Sequence, residues 1–183
     1  MLLHPEDKIT LRQVKSLLPI SKLLDSVGDP EFQHALRIKI EREGVSDVVK
    51  TFVMENLWHN VTYGGGDKFV KFALKLPGID VNAAKHDGHT LLHSATWGGH
   101  TDVVAALLAH PEINANAANK FGYTPLHSAT SERRTEVVVA LLAHPGIDVN
   151  AANWSGRTPL YIAKQRKNTE IATILLAHPD NIN

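Results

Sequence analysis

One phrase, recurring at a fixed interval, constrains the fold more than any other feature of the chain. Gly88-His89-Thr90-Leu91-Leu92-His93-Ser94-Ala95 returns 34 residues on as Gly122-Tyr123-Thr124-Pro125-Leu126-His127-Ser128-Ala129, and again as Gly156-Arg157-Thr158-Pro159-Leu160-Tyr161-Ile162-Ala163. Self-similarity at such a spacing marks an array of like units, each too small to bury its apolar face alone. It also weighs against catalysis. Chemistry needs one unique constellation, and repetition supplies the same residues at regular steps.

Each unit reads as two short helices and a projecting turn. Thr90, Thr124 and Thr158 precede an apolar helix start, where a threonine oxygen can accept an orphan backbone N–H. Pro125 and Pro159 follow at the first helical position, where a missing N–H costs nothing. A second helix is expected from Thr101-Asp102, Thr135-Glu136 and Thr169-Glu170, read as a cap followed by an acid that suits the positive helix end. Val103, Val104, Leu107 and Leu108, matched by Val137, Val138, Leu141 and Leu142, give it a wide apolar stripe. Pro111, Pro145 and Pro179 stop it. The linkers Ile113-Asn114-Ala115-Asn116-Ala117-Ala118-Asn119 and Ile147-Asp148-Val149-Asn150-Ala151-Ala152-Asn153 are expected to form hairpins, with Gly88, Gly122 and Gly156 permitting the return turn.

The same spacing uncovers a worn fourth copy. Leu57-Trp58-His59 stands one period before Leu91-Leu92-His93, Phe69-Val70 before Val103-Val104, and Leu76-Pro77-Gly78-Ile79-Asp80-Val81-Asn82 repeats the linker. The array therefore begins near residue 49.

These phrases resemble the ankyrin-repeat family, above all Gly-Tyr-Thr-Pro-Leu-His at 122–127, Gly-Gly-His at 98–100, Val-Val-Ala-Ala-Leu-Leu at 103–108 and Asp-Val-Asn-Ala at 148–151. The resemblance implies an all-α repeat solenoid: a stack of paired short antiparallel helices joined by hairpin loops, closed by an N-terminal helical cap. It covers 49–183, as a degenerate unit over 49–82 and further units over 83–116, 117–150 and 151–183. The chain departs from the family in length, since its unit exceeds the usual 33 or so residues by one. The extended His144-Pro145-Gly146-Ile147-Asp148 linker accounts for that residue.

The period fails before residue 49. Leu11, Val14, Leu17 and Leu18 fit one helical face, Asp29-Pro30-Glu31 can open a second helix, and a third runs from Ser46 toward Trp58. Residues 1–48 thus read as a helical cap or extension. The alternative is a decayed repeat, because Asp47-Val48-Val49 echoes Asp102-Val103-Val104; register opposes it, placing that helix start near 34.

Composition narrows the function classes. Nineteen basic and nineteen acidic residues give a formal charge of zero, so no global attraction to nucleic acid or anionic membrane is expected. The absence of cysteine removes disulfides, thiolate zinc sites and a cysteine nucleophile. Apolar runs are too short to span a bilayer, and Met1-Leu2-Leu3-His4-Pro5 turns polar too soon for a secretory signal. A cytoplasmic location is expected, with delivery into a host cell as the alternative.

Eleven histidines suggest metal until the period is applied. His93 and His127, with His59 as the degenerate copy, share one position, suited to bonding the threonine of their own turn and backbone in the adjoining loop. His110, His144 and His178 share another, where a partly charged ring suits the helix end. No third ligand joins His86 and His89, so neither metal nor cofactor is expected. Gly64-Gly65-Gly66-Asp67-Lys68 lacks the spacing and hydroxyl of a phosphate loop.

What varies on the fixed scaffold is more telling. Candidate partner-binding positions are His86, Asp87 and His89; Lys120, Phe121 and Tyr123; Trp154, Ser155 and Arg157; and Trp97 near the inner-helix turn. Repeated aliphatic residues already fill the core, which leaves these aromatics for recognition or for packing between neighbouring tips. Arg133, Arg134, Lys164, Arg166 and Lys167 form a basic patch that suits an acidic segment or plain solvation. At the far end Ile171, Ile174 and Leu175 are expected to leave apolar surface, a route to self-association. The expectation is a non-catalytic scaffold for a protein or peptide, with no nucleic-acid partner; the alternative is a targeting or substrate-recruiting module of a larger enzyme or host-directed effector.

Overall fold

The computed structural model describes residues 47–63, 67–76 and 78–181. The helices expected within 1–46, the Gly64-Gly65-Gly66 turn and Pro77 lie outside the described residues.

Among the described residues eight helices follow in pairs: α1 (Asp47–Tyr63) and α2 (Asp67–Ala73), α3 (Leu91–Gly98) and α4 (Thr101–Leu108), α5 (Pro125–Ser131) and α6 (Thr135–Leu142), α7 (Pro159–Gln165) and α8 (Thr169–Leu176). First helices pack on first helices, α1 on α3, α3 on α5 and α5 on α7. Second helices do the same, α2 on α4, α4 on α6 and α6 on α8, and each pair packs internally. The result is a two-layer stack, here called the inner and outer layers. A single isolated β-bridge, Ala84 to Thr90, closes one hairpin among the described residues.

The inner helices start where the threonines place them. Thr90, Thr124 and Thr158 have extended backbones, and each side chain accepts the amide of the third residue on: His93, His127 or Tyr161. Leu91, which replaces proline, leaves that geometry unchanged. Inside, Leu91, Leu92, Leu126, Ala95, Ala129 and Ala163 are fully or almost fully buried, and the alanines let neighbouring inner helices approach. Val104, Leu107, Val138, Leu141, Ile171 and Leu175 close the outer layer. Each such side chain contributes about 1.5–3 kcal/mol by leaving water, and no unit has enough of them to fold alone.

The outer helices correct one expectation. Thr101, Thr135 and Thr169 are the first helical residues; the caps before them are His100, Arg134 and Asn168, of which only Asn168 offers a side-chain bond, to the amide of Ile171. The Thr101 and Thr135 hydroxyls donate instead to Glu136 (3.4 Å) and Glu170 (3.1 Å) of the following unit.

The first helix starts where the sequence places it, beside Ser46, but runs on past Trp58 to Tyr63. At 17 residues α1 begins ten positions before the one aligned with Leu91, and residue 49 lies in its first turn. Met54 stands where the later copies have glycine and Asn56 where they have threonine, so nothing in the sequence stops the helix at that point. Leu57 and Val61 are buried on schedule, but His59 is exposed and packs 5.1 Å from the Tyr63 ring. His59 is therefore no copy of the capping histidine: inside a continuous helix there is no free end to cap.

Between units, one asparagine per repeat ties adjacent linkers. Asn82 donates to the Glu112 carbonyl (2.7 Å) and accepts the Asn114 amide (2.8 Å); Asn116 does the same with Gly146 (2.8 Å) and Asp148 (2.9 Å); Asn150 donates to Asp180 (2.6 Å).

Candidate functional site

The hairpins are fixed from within. Asn119 is buried, and its Oδ1 accepts the amides of Phe121 (2.9 Å) and Tyr123 (3.0 Å); Asn153 holds Ser155 (2.9 Å) and Arg157 (3.0 Å) identically. Satisfying two tip amides with one short side chain forces a tight return, completed by Gly122 and Gly156 at φ 78° and 71°. In the hairpin before them, Lys85 occupies that asparagine position. The Asp87 carboxylate takes over, accepting the His89 amide at 3.1 Å and lying 3.0 Å from the His89 ring. The bond from the His89 amide holds the Asp87 carboxyl below the usual carboxylate range. Successive tips are stitched by backbone, Lys120 N to Asp87 O (3.0 Å) and Trp154 N to Phe121 O (3.3 Å). A cavity of about 490 Å³ opens among Lys85, His86, Asp87 and Lys120.

Behind the tips the repeated histidines act as expected. His93 Nδ1 accepts the Thr90 amide (3.2 Å) and meets its hydroxyl (2.9 Å), so the proton sits on Nε2, which donates to the Tyr123 carbonyl at 2.9 Å. His127 repeats this with Thr124 and the Arg157 carbonyl, 2.9 Å away. Burial pushes the His93 imidazole down to about 4 and lowers His127 as well, so both are neutral structural groups near pH 7. In the other repeated set, His110 and His178 use Nδ1 to accept the amides of Glu112 (3.2 Å) and Asp180 (3.3 Å). His178 Nε2 also reaches the Leu142 carbonyl at the end of α6 (3.4 Å), so that ring serves both a linker and a helix end.

The candidate recognition residues fall on two rims, separated by the length of an inner helix, about 10 Å for seven residues. The hairpin rim carries His86, Asp87, His89, Lys120, Phe121, Tyr123, Trp154, Ser155 and Arg157. Phe121 is 64 % exposed and Trp154 79 %. They form no ring pair with each other among the described residues, since the Trp154 indole lies across Gly122. Tyr123 is half-buried, 5.4 Å from the His127 ring, and so serves packing as well as surface. Arg157 lies 5.7 Å from the Tyr161 ring.

Trp97 belongs to the opposite rim, where inner helices turn into outer ones, together with Arg133, Arg134, Lys164, Arg166 and Lys167. It is 56 % exposed, and all five cations are exposed. Arg133 and Lys167 take left-handed backbone, φ 57° and 55°, at the position that Gly99 fills at 78°. Tyr63, missed in the sequence, stands one period before Trp97 and is 73 % exposed. Counting back from Trp97 was the signal that could have found it.

At the last unit Ile171 and Leu175 are fully buried and Ile174 half-buried, against the apolar surface expected of them. Exposed apolar groups there are Tyr161 and Leu176. The stripe of α8 faces α6 and α7, as in the internal units, and this places Ile171 and Leu175 inside.

A family model of ankyrin repeats, in 3 copies, matches residues 57–153 and 115–183. The chain belongs to the ankyrin-repeat family. A search of curated proteins finds no match. Ankyrin repeats are generally protein-interaction modules and typically non-catalytic. The matched span of this ankyrin-repeat chain begins at Leu57, where its burial pattern first follows the period. No described helix is long and apolar enough to cross a membrane.

Proposed function

We propose that this ankyrin-repeat array is a non-catalytic scaffold that holds a protein or peptide partner across its hairpin tips and concave inner-helix face. The observation that carries the reading is the placement of large aromatics outside a core that is already closed. Phe121 and Trp154 are 64 % and 79 % exposed on tips held rigid by Asn119 and Asn153, and Trp97 is 56 % exposed at the other rim. Aromatic groups fixed in place before binding lose little freedom on association, and such residues dominate interface energies. His86, Asp87, His89, Lys120, Ser155 and Arg157 surround them with charge and hydrogen-bonding capacity that selects among partners.

Affinity capture from lysate of the source organism or its host tests this, with wild type compared against Phe121→Ser plus Trp154→Ser. Both residues are exposed, so the variant is expected to fold, and thermal melting checks that it does. A partner retained by wild type and lost from the variant is expected; equal retention removes the tips from the binding surface, and no retained protein removes the scaffold reading.

A further inference from the structure

The turn rim carries more than scattered charge. Hydrogen bonds run along it without a break: His100 Nε2 meets the Thr62 carbonyl at 3.3 Å, Arg134 Nε donates to the Trp97 carbonyl at 3.4 Å, and Arg133 Nη2 donates to the Arg166 carbonyl at 2.9 Å. Each bond joins one unit to the next. The Arg134 side chain lies flat on Gly99, where an added methyl would stand 2.9 Å from its Cδ and Nε. Both guanidinium groups are thereby oriented, yet each uses a single donor out of five, and neither pairs with a carboxylate among the described residues. The first half of the row ends in two exposed aromatic rings one period apart, Tyr63 and Trp97.

Resting on the scaffold reading, we infer that the turn rim is the seat of an acidic peptide segment bearing a large apolar side chain. The apolar group sits against Tyr63 and Trp97, and the carboxylates meet Arg133, Arg134, Arg166 and Lys167. Guanidinium forks with free donors match carboxylates two bonds at a time, and fixing them beforehand lowers the ordering cost of binding. A peptide fits better than a nucleic acid. Glu136 and Glu170 line the neighbouring outer-helix starts, held there by Thr101 and Thr135, and would repel a continuous phosphate backbone. A peptide can space its carboxylates to avoid them. The zero net charge of the chain supplies no wider field to hold a polyanion.

The probes are two fluorescein-labelled peptides joining a Trp-Leu pair to a short run of glutamates, one in each chain order, with their lysine counterparts and a labelled oligouridylate. Fluorescence anisotropy on the full chain is expected to show one acidic peptide binding at least about tenfold tighter than its lysine counterpart, and weakening as salt is added. Arg133→Gln plus Arg134→Gln is expected to lose about tenfold, and Trp97→Ser several-fold, with thermal melting recorded to show that each variant folds. Arg133→Glu plus Arg134→Glu is expected to reverse the preference toward the lysine peptide, a gain that misfolding cannot produce. Equal binding of acidic and lysine peptides, unchanged binding by the glutamine variant, or tighter binding of the oligouridylate overturns the inference. If the acidic peptides fail while the captured partner still depends on Phe121 and Trp154, this inference falls and the scaffold stands; if capture fails as well, both fall.

Discussion

His93 Nε2 lies 2.9 Å from the carbonyl oxygen of Tyr123, so the cap of one inner helix is also a bond to the next hairpin. One imidazole thus couples local structure to the stacking of units. His127 does the same toward Arg157. The final unit has Tyr161 at this position, exposed, with no described hairpin beyond it to reach.

That coupling makes the stack acid-sensitive, and the sign follows from burial. The His93 value is depressed to about 4 in the folded chain against 6.5 for a free imidazole, and His127 is shifted the same way. Between those values the unfolded chain binds more protons, so stability is full above pH 6.5 or so and falls as pH drops toward 4. His93 alone accounts for about 3 kcal/mol of that loss, as an order of magnitude. Urea denaturation at about pH 7.5 and pH 4.5 checks this, with His93→Gln expected to be weaker at the higher pH and flatter across the range. An unchanged slope in His93→Gln would assign the acid sensitivity elsewhere.

Gly122 and Gly156 share a left-handed conformation but not surroundings. A methyl at Gly122 collides with the Trp154 indole and backbone, whereas at Gly156 it meets open space. Gly156→Ala is expected to cost about 1 kcal/mol from backbone strain alone, and Gly122→Ala clearly more. Thermal denaturation ranks the two, and tryptophan emission should shift only in Gly122→Ala.

Lys167 is the converse case, a lysine at φ 55° in a place where Gly99 sits comfortably. Lys167→Gly is expected to stabilise the chain, by up to about 1 kcal/mol. Arg133→Gly should gain less, because it also removes the bond to Arg166. Denaturant midpoints measured side by side decide between these outcomes.

Asn116 bridges two linkers with both ends of its amide. Asn116→Ala is expected to cost about 1–2 kcal/mol, and Asn116→Asp, which keeps the acceptor, less. Amide exchange should quicken at Asp148 in the alanine variant and remain slow in the aspartate one.

Much of this architecture was legible because repetition averages out accident. Three Gly-x-Thr phrases placed the inner helices, and the Val-Val-x-x-Leu-Leu stripe placed the outer ones. The first unit differs in detail: His59 aligns with His93, but Met54 and Asn56 lack the punctuation that would open a new helix there, so α1 runs through. The roles of Thr101 and Thr135 were hidden for another reason. Their hydroxyls turn to Glu136 and Glu170, a contact 35 residues away that local pattern does not encode. Trp97 is legible in the sequence as lying near the inner-helix turn; what the local pattern does not encode is the bond to its carbonyl from Arg134, 37 residues on.

Recognition through the inner layer and its rims is tested most directly by amide hydrogen exchange on the chain with and without its captured partner. Slowed exchange is expected in the hairpins around Asp87, Phe121 and Ser155 or in the turns around Gly99, Arg133 and Lys167. Protection confined to the outer helices α4, α6 and α8 would contradict it.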